Sequence, residues 1–584
     1  MKPSSLRARL DYEPQALKFG TSGRRAEVLH LTQLEVYLNA LAEVQYLQSL
    51  PRAEGGIARG DDFYFAYDLR PSSTRYVPEQ GGRGEIAQAV VRALHDAGMR
   101  PVNLGQIPTP ALTSLALARG KGSIMITGSH IPFDRNGYKT NTAIGELLKK
   151  HEDPISSRVE TVRQNLDDQP FAESPFNSQG LFKTGHQDQD LPPESTAGRD
   201  AYIRRYLEFF AESSLKGLRL LAYQHSAVGR DLLVQILEAL GAEVVPAGRS
   251  ETFVPIDTEN IDAAQSDTIQ ALVNEAWTRH GPLDAVVSTD GDSDRPLILG
   301  ITPASDPTVP GRIEFYGGDL VGMIVAEHLG ADAVVVPISC NDAIDHGALK
   351  DQVEPKTRIG SPFVIAGMLK ARLKGKQVIC GWEANGGFLT GSDIHRDGRT
   401  LKALPTRDAM LPIVAVLAAA GGRCLSLPTL FAQLPRRFSR AALLRNFPRP
   451  VGLRILERFS PANPAINEIH FDAAQPVLLD ADGRELGRGD LTPDSPDHIR
   501  TELERFVPSA QGFDGIMRLN YTDGLRIYFH NGDVAHVRPS GNADELRIYA
   551  VADTQTRADA IAALGIAEPD GLLRRLERAI TSAE

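Results

Sequence analysis

The sequence predicts an α/β fold class: three consecutive α/β domains with mixed sheets, then a C-terminal α+β domain, around a central cleft. Three observations predict it. Up to about residue 430, strand-like apolar runs alternate with amphipathic helical stripes, the pattern of sheets covered by helices. Three of those runs end in polar loops: Gly128-Ser129-His130, Asp290-Gly291-Asp292-Ser293-Asp294-Arg295 and Glu383-Ala384-Asn385-Gly386-Gly387. Ligands in open α/β sheets bind beyond the carboxyl ends of strands, so three such ends facing one cleft make a composite site. Beyond residue 430, short strand-like runs are separated by Asp523-Gly524 and Asn531-Gly532, which are hairpin signals.

The first domain is expected over 1–165. Leu31, Leu34, Leu38 and Leu41 fall on one helical face, and Thr32-Gln33-Leu34-Glu35 fits a capping box at the start of that helix. Phe63 to Tyr67 reads as a strand running into Asp68-Leu69-Arg70. A helix carrying Ile86, Val90, Ala93, Leu94 and Ala97 follows, then a strand at Val102–Leu104, a helix at Pro110–Ala118 and a strand at Ser123–Thr127. Residues 166–200 are rich in Asp, Gln, Pro and Ser and read as an extended connection. A second domain, 201–310, holds strands at Leu218–Tyr223, Glu243–Pro246 and Leu283–Thr289. A third, 311–430, holds strands at Ala333–Ile338 and Gln377–Trp382. The fourth, 431–584, holds strands at Met517–Tyr521, Leu525–Phe529, Val534–Val537 and Leu546–Val551, and its first 70 or so residues carry little periodicity.

Composition narrows the function. The 584 residues are 42% hydrophobic and 23% charged, ordinary for a globular protein of several domains. A net charge of -11 argues against a general nucleic-acid binder, while a local basic cleft remains compatible with an anionic substrate. The three cysteines, Cys340, Cys380 and Cys424, lack metal or redox spacing, and the N-terminus has no apolar signal region. A cytoplasmic protein without membrane association is expected.

The loops carry the chemistry. Asp290, Asp292 and Asp294 alternate, so in extended backbone their carboxylates project to one side. Three hard oxygens suit Mg²⁺, which keeps positions open for a substrate phosphate. A calcium EF-hand is excluded, because Arg295 stands where the tight-turn glycine belongs and Ile301 where the bidentate glutamate belongs. A solvated acidic turn is the alternative. Glu383 to Gly387 offers a carboxylate, an amide and close backbone approach, as sugar hydroxyls require, or is a plain glycine-rich turn. Val537-Arg538-Pro539-Ser540-Gly541-Asn542 offers an arginine, a hydroxyl and exposed amides for an anion, or is an ordinary turn. Ser129 belongs to no G-x-S-x-G elbow, and a structural serine is its alternative reading.

Taken together, these loops and the entry segment Phe19-Gly20-Thr21-Ser22-Gly23-Arg24-Arg25 resemble the α-D-phosphohexomutase family, which includes phosphomannomutases and phosphoglucomutases. Its serine loop T-[AG]-S-H-[NI]-P, metal loop D-G-D-x-D-R, sugar loop G-E-x-S-G and phosphate loop R-x-S-[GN]-T have counterparts here in that order, over nearly the whole chain. The resemblance implies a phosphoserine at Ser129, with Ser129, Asp290, Asp292 and Asp294 around one Mg²⁺. It implies Arg25, His130 and Lys139 at the reaction centre, and Arg295, Arg358, Glu383 and Asn385 against substrate. Arg538, Ser540, Gly541 and Asn542 would grip the far phosphate.

The implied reaction interconverts hexose 6-phosphate and hexose 1-phosphate through a bisphosphorylated sugar, with hexose 1,6-bisphosphate as activator. The likeness to bacterial phosphomannomutases favours mannose, with phosphoglucomutase and phosphoglucosamine mutase as alternatives. A Mg²⁺-dependent sugar phosphatase and a non-catalytic sugar-phosphate binder are rivals from other classes. The expected partner is a small sugar phosphate, for a monomer or homodimer. Three departures bear on the sugar: Asn385 replaces the loop serine, Trp382 stands where glycine is common, and Asn542-Ala543-Asp544-Glu545 departs from T-E-P-K.

Overall fold

The computed structural model describes residues 4–20, 22–183, 190–259, 261–472, 475–488, 496–539 and 544–581. Its contacts divide the chain into two compact units, Met1–Asp332 with Met368–Phe431, and Ala333–Gly367 with Ala432–Glu584.

In the first unit, one sheet runs in the order Arg24–Glu27, Arg135–Thr142, Ser123–Ile126, Asp62–Tyr67, Arg100–Asn103. Asp62–Tyr67 pairs in parallel with both its neighbours, whereas Arg135–Thr142 is antiparallel to Ser123–Ile126 and to Arg24–Glu27. The sheet is therefore mixed. Its fully buried strand Ser123–Ile126 delivers the serine loop. Half of the expected capping box forms: Thr32 Oγ1 accepts the Glu35 amide at 3.1 Å, opening the helix Gln33–Ser49, while the Glu35 carboxylate accepts from Arg163 Nη2 (2.8 Å).

A second sheet runs Glu243–Arg249, Arg219–His225, Ala285–Thr289, Pro296–Thr302, Arg312–Phe315, parallel in its first three strands and antiparallel beyond. Ile379–Trp382, Phe388–Thr390 and Leu404–Asp408 form antiparallel ladders. The large Trp382 ring fits there because the helix Gly318–Leu329 has Gly322 beneath it, where a Cβ would lie 2.4 Å from the indole.

The stretch expected as an extended connection is different. The helix Ala197–Phe209 begins inside it. Residues 168–183 have little regular structure, yet Phe176 and Phe182 are buried and stack at 5.0 Å, and Tyr37 meets Phe176 edge-on. Two isolated aromatics carry no periodicity, so the sequence pattern hid a packed segment.

The second unit is built on an eight-stranded antiparallel sheet in the order Phe438–Arg445, Glu545–Ala552, Val534–Pro539, Leu525–Phe529, Ile516–Asn520, Glu468–His470, Val477–Leu479, Glu485–Arg488. Gln555–Ile566 and Leu572–Thr581 are helices of this unit. Arginines tie residues 333–367 to this sheet. Wholly buried Arg526 donates to Ile338 O (2.5 Å), and Arg437 pairs with Asp342 (2.7 Å). Among the described residues, no helix is long and apolar enough to cross a membrane.

Candidate active site

Ser129 lies just beyond the strand Ser123–Ile126, in the left-handed region at φ 56. A chain of hydrogen bonds sets that turn. Thr127 Oγ1 donates to Asp68 Oδ2 (2.7 Å) and accepts from the Ser129 amide (2.7 Å). Arg70, wholly buried, donates to the carbonyls of Ser129 (2.9 Å), Ile131 (2.6 Å), Pro132 (2.8 Å) and Arg135 (3.0 Å). A Cβ on Gly128 would lie 2.7 Å from the Arg70 guanidinium, so this passage requires glycine. Phe253 covers the other side of that guanidinium at 3.9 Å.

Ser129 Oγ donates to Asp290 Oδ2 at 2.7 Å, which joins the serine loop to the acidic loop. The acidic loop connects two antiparallel strands and is folded, not extended. The Asp290 amide donates to Arg295 O (3.0 Å), and Asp290 Oδ1 accepts the amides of Asp294 (3.1 Å) and Arg295 (3.2 Å). The carboxylates therefore converge through a tight turn instead of strand alternation. Ligand atoms of Asp290, Asp292 and Asp294 lie within 4.8 Å of one another, all three residues buried.

One oxygen each of Asp292 and Asp294 is saturated with hydrogen bonds and the other has none. Asp292 Oδ2 accepts from Thr109 Oγ1 (2.6 Å) and Lys139 Nζ (2.6 Å). Asp294 Oδ2 accepts from Lys139 Nζ (2.7 Å) and from Arg407 Nε (3.1 Å) and Nη2 (2.9 Å). Both Oδ1 atoms are buried without a hydrogen-bond partner. Buried carboxylate oxygens need a donor or a cation. Two orphaned oxygens beside the Ser129–Asp290 pair fit a hard divalent ion such as Mg²⁺. Burial, then Asp292 and Asp294, pushes the Asp290 carboxyl up to about 8. Burial opposes ionisation of Asp294 as well, but Arg407, Lys139 and Arg295 outweigh it and hold that carboxyl well below the usual range.

Cations surround the cluster. Arg24 turns inward to Glu43 (2.6 Å), so its strand neighbour Arg25 faces the other way. Arg25 Nε and Nη2 are buried without partners, and burial followed by the nearby Arg295 lowers this guanidinium to about 10. Arg295 Nε lies 3.6 Å from Asp294 Oδ1 and 4.0 Å from Asp290 Oδ2. His130 Nδ1 is 3.4 Å from Ser129 Oγ, and Arg295 followed by burial holds this imidazole well below its ordinary value.

Glu383 follows the strand Ile379–Trp382, and its Oε2 accepts Arg407 Nη1 at 3.1 Å. Asn385 Oδ1 caps the Gly387 amide (2.9 Å), while Asn385 O accepts from Thr258 Oγ1 (2.7 Å). The structure thus brings together Arg25, Ser129, His130, Lys139, Asp290, Asp292, Asp294, Arg295 and, through Arg407, Glu383. Arg358 and Arg538 belong to the second unit. Ser540, Gly541 and Asn542 lie outside the described residues, as does Thr21 of the entry segment.

Sequence reading missed Arg70, Thr109 and Arg407. Arg70 had a signal, since Asp68-Leu69-Arg70 also ends a strand. Arg407 had a fainter one, a charge beside Asp408 in the strand Leu404–Asp408, both residues buried. Its acidic partners lie far away in sequence, at Asp294 and Glu383.

The comparisons with known proteins fall on this geometry. Family models match residues 16–166 (phosphoglucomutase/phosphomannomutase, alpha/beta/alpha domain I), 317–438 (alpha/beta/alpha domain III) and 500–564 (C-terminal domain). A phosphomannomutase of Sinorhizobium fredii (strain NBRC 101917 / NGR234) is 36% identical over 552 residues, 94% of this chain and 98% of the relative. One of Salmonella muenchen is 34% identical over 551 residues, 93% of each chain. The crystal structure of a phosphoglucomutase/phosphomannomutase family protein from Burkholderia thailandensis matches with a TM-score of 0.60 at 16% identity. It covers 96% of this chain and 97% of that one. The fold and its strand-end loops define a sugar-phosphate mutase architecture, and the chain belongs to the phosphoglucomutase/phosphomannomutase family, the α-D-phosphohexomutases.

Proposed function

We propose that this chain is an isomerase that interconverts hexose 6-phosphate and hexose 1-phosphate, with mannose favoured, through a phosphoserine at Ser129. The observation that carries the reading is the hydrogen bond from Ser129 Oγ to Asp290 inside a cage whose other two aspartates each keep one oxygen without a hydrogen bond. Charge supports it. Once a divalent cation draws Asp290, otherwise pushed up to about 8, into its ionised form, Asp290, Asp292, Asp294 and Glu383 balance Arg25, Lys139, Arg295 and Arg407. A divalent cation and a phosphoserine, which carries about -1.5 to -2, keep that balance when they enter together.

In the proposed cycle the P–Oγ bond of phospho-Ser129 breaks as a bond forms to the free hydroxyl oxygen of the substrate. The hydroxyl proton is relayed through one of His130, Lys139 or Arg25 to the departing Ser129 Oγ, and the second transfer moves it back from Oγ to the sugar oxygen that it frees. The resulting bisphosphorylated sugar turns over and returns its other phosphoryl group to Ser129, whose oxygen then holds phosphate again. Arg295 faces the transferring group, and Glu383 with Asn385 accepts sugar hydroxyls. Arg358 and Arg538, with Ser540, Gly541 and Asn542, bind substrate and its far phosphate. Bound Mg²⁺, held by Ser129, Asp290, Asp292 and Asp294, supplies neutralisation of the transferring charge, the dominant need in phosphoryl transfer. Hexose 1,6-bisphosphate as activator, a cytoplasmic setting, a monomer or homodimer without nucleic-acid or membrane partners, and the four-domain division all belong to the same proposal.

The test is a coupled assay of the purified protein with mannose 1-phosphate, glucose 1-phosphate and glucosamine 1-phosphate, with Mg²⁺ and an activating bisphosphate. Turnover that a chelator abolishes and Mg²⁺ restores is expected, fastest with mannose 1-phosphate. Inactivity on all three sugars would overturn the reading, and a faster rate with another sugar would correct only the specificity.

A further inference from the structure

Asp523 stands at the tip of the hairpin between the strands Ile516–Asn520 and Leu525–Phe529, in the unit that also contains Arg358 and Arg538. Its Oδ2 lies 3.1 Å from Arg538 Nε and accepts the Ile359 amide at 3.0 Å. The preceding carbonyl, Thr522 O, accepts Arg358 Nε at 3.2 Å. One two-residue tip therefore holds both arginines.

The tip is itself fixed. His536 Nε2 lies 2.6 Å from Asp523 O, and since a carbonyl only accepts, this nitrogen carries the proton and donates. The Thr522 amide donates to Asn520 Oδ1 (2.9 Å), and Thr522 Oγ1 accepts from Asn467 Nδ2 (3.0 Å). A Cβ on Gly524 would lie 2.4 Å from Val537 O, so the turn lies flat on the strand that carries Arg538. A hairpin turn needs none of these side-chain ties. A carboxylate here also works directly against an anion, so its placement needs another reason. Long cationic side chains lose rotamer freedom when they grip a ligand, and ordering them beforehand removes that cost from binding.

We propose that Asp523 is a positioning residue for the phosphate grip. It orders Arg538 and the Arg358 segment for the phosphoryl group that is not being transferred, without touching that group. The proposal rests on the mutase reading above.

The experiment compares the full chain with D523N and D523A. D523N keeps an acceptor for the Ile359 amide and suits the turn, but loses the charge opposite Arg538. D523A loses both. With mannose 1-phosphate and Mg²⁺, KM is expected to rise about 3–10-fold in D523N and about 10-fold or more in D523A. The change in kcat is expected to be smaller, and the phosphoryl adduct on Ser129 and the melting temperature should stay close to those of the wild type. Calorimetric titration with mannose 6-phosphate reads the same effect without turnover. Affinity weakened by matching factors supports the proposal, even if the wild type proves inactive as a mutase. Equal affinity in all three proteins, no binding by the wild type, or weakening that merely follows a fall in melting temperature would overturn it.

Discussion

At the scale of single residues, the site depends on oxygens whose direction is decided by their neighbours. Ser129 is the first case. In Ser129→Ala the phosphoryl adduct seen by intact mass should disappear, and mutase activity should fall by at least about 10³-fold. An adduct surviving in that variant would move the nucleophile elsewhere. Arg407 is the second. It is buried and bridges Asp294 and Glu383 at 2.9 and 3.1 Å. Arg407→Met takes Glu383's partner away and leaves Asp294 only Lys139 and Arg295, and should cost about 3–5 kcal/mol in urea unfolding. Arg407→Lys should recover only part of this, because one ammonium lacks the planar fork that reaches both acids.

At the scale of elements, Trp382 illustrates how a departure from a family pattern is absorbed. The indole lies flat against Phe388, with centroids 5.9 Å apart and planes at 5°, and occupies the space that Gly322 leaves open. Gly322→Ala should therefore lower stability by about 1–3 kcal/mol, and adding Trp382→Phe should return part of it in a double-mutant cycle. An additive pair of effects would show that the two residues do not share that space.

This scale also separates what could be read from the chain from what could not. Loops at strand ends were legible because each concentrates unusual residues within a few positions. The strands Glu468–His470 and Val477–Leu479 were not, since three residues are too few to show an alternating pattern. The acidic loop was placed correctly, but its shape was not. A turn closed by Asp290 Oδ1 on two amides has no signature beyond the aspartate itself. Arg70 and Arg407 act on partners contributed by other elements, which only the folded chain brings to them.

At the scale of the molecule, each unit contains a buried neutral histidine. Burial lowers His225 to about 4 in the first unit and His536 to about 3 in the second, and each ring bonds a backbone carbonyl. An unfolded histidine titrates near 6.5. Below that value the unfolded chain takes up protons that the folded one refuses, so stability present above about pH 6.5 is lost as pH falls towards these folded values. Each ring should cost about 2 kcal/mol by pH 5. Thermal melts at pH 7.5 and pH 5 check this, and a stability unchanged between them would mean that the rings are protonated in place.

The division of the chain has a consequence for synthesis. The polypeptide changes unit three times, after Asp332, Gly367 and Phe431, so residues 333–367 leave the ribosome long before the sheet that receives them. Arg526 and Asp523, which hold that segment, follow it by more than 150 residues. At about 5–20 residues per second, the bonds from Arg526 and Asp523 form on the order of 10–30 s after the segment is made. The buried arginines thus act late, as fasteners on a piece made well before them, and any chaperone that holds the segment ready has its window there.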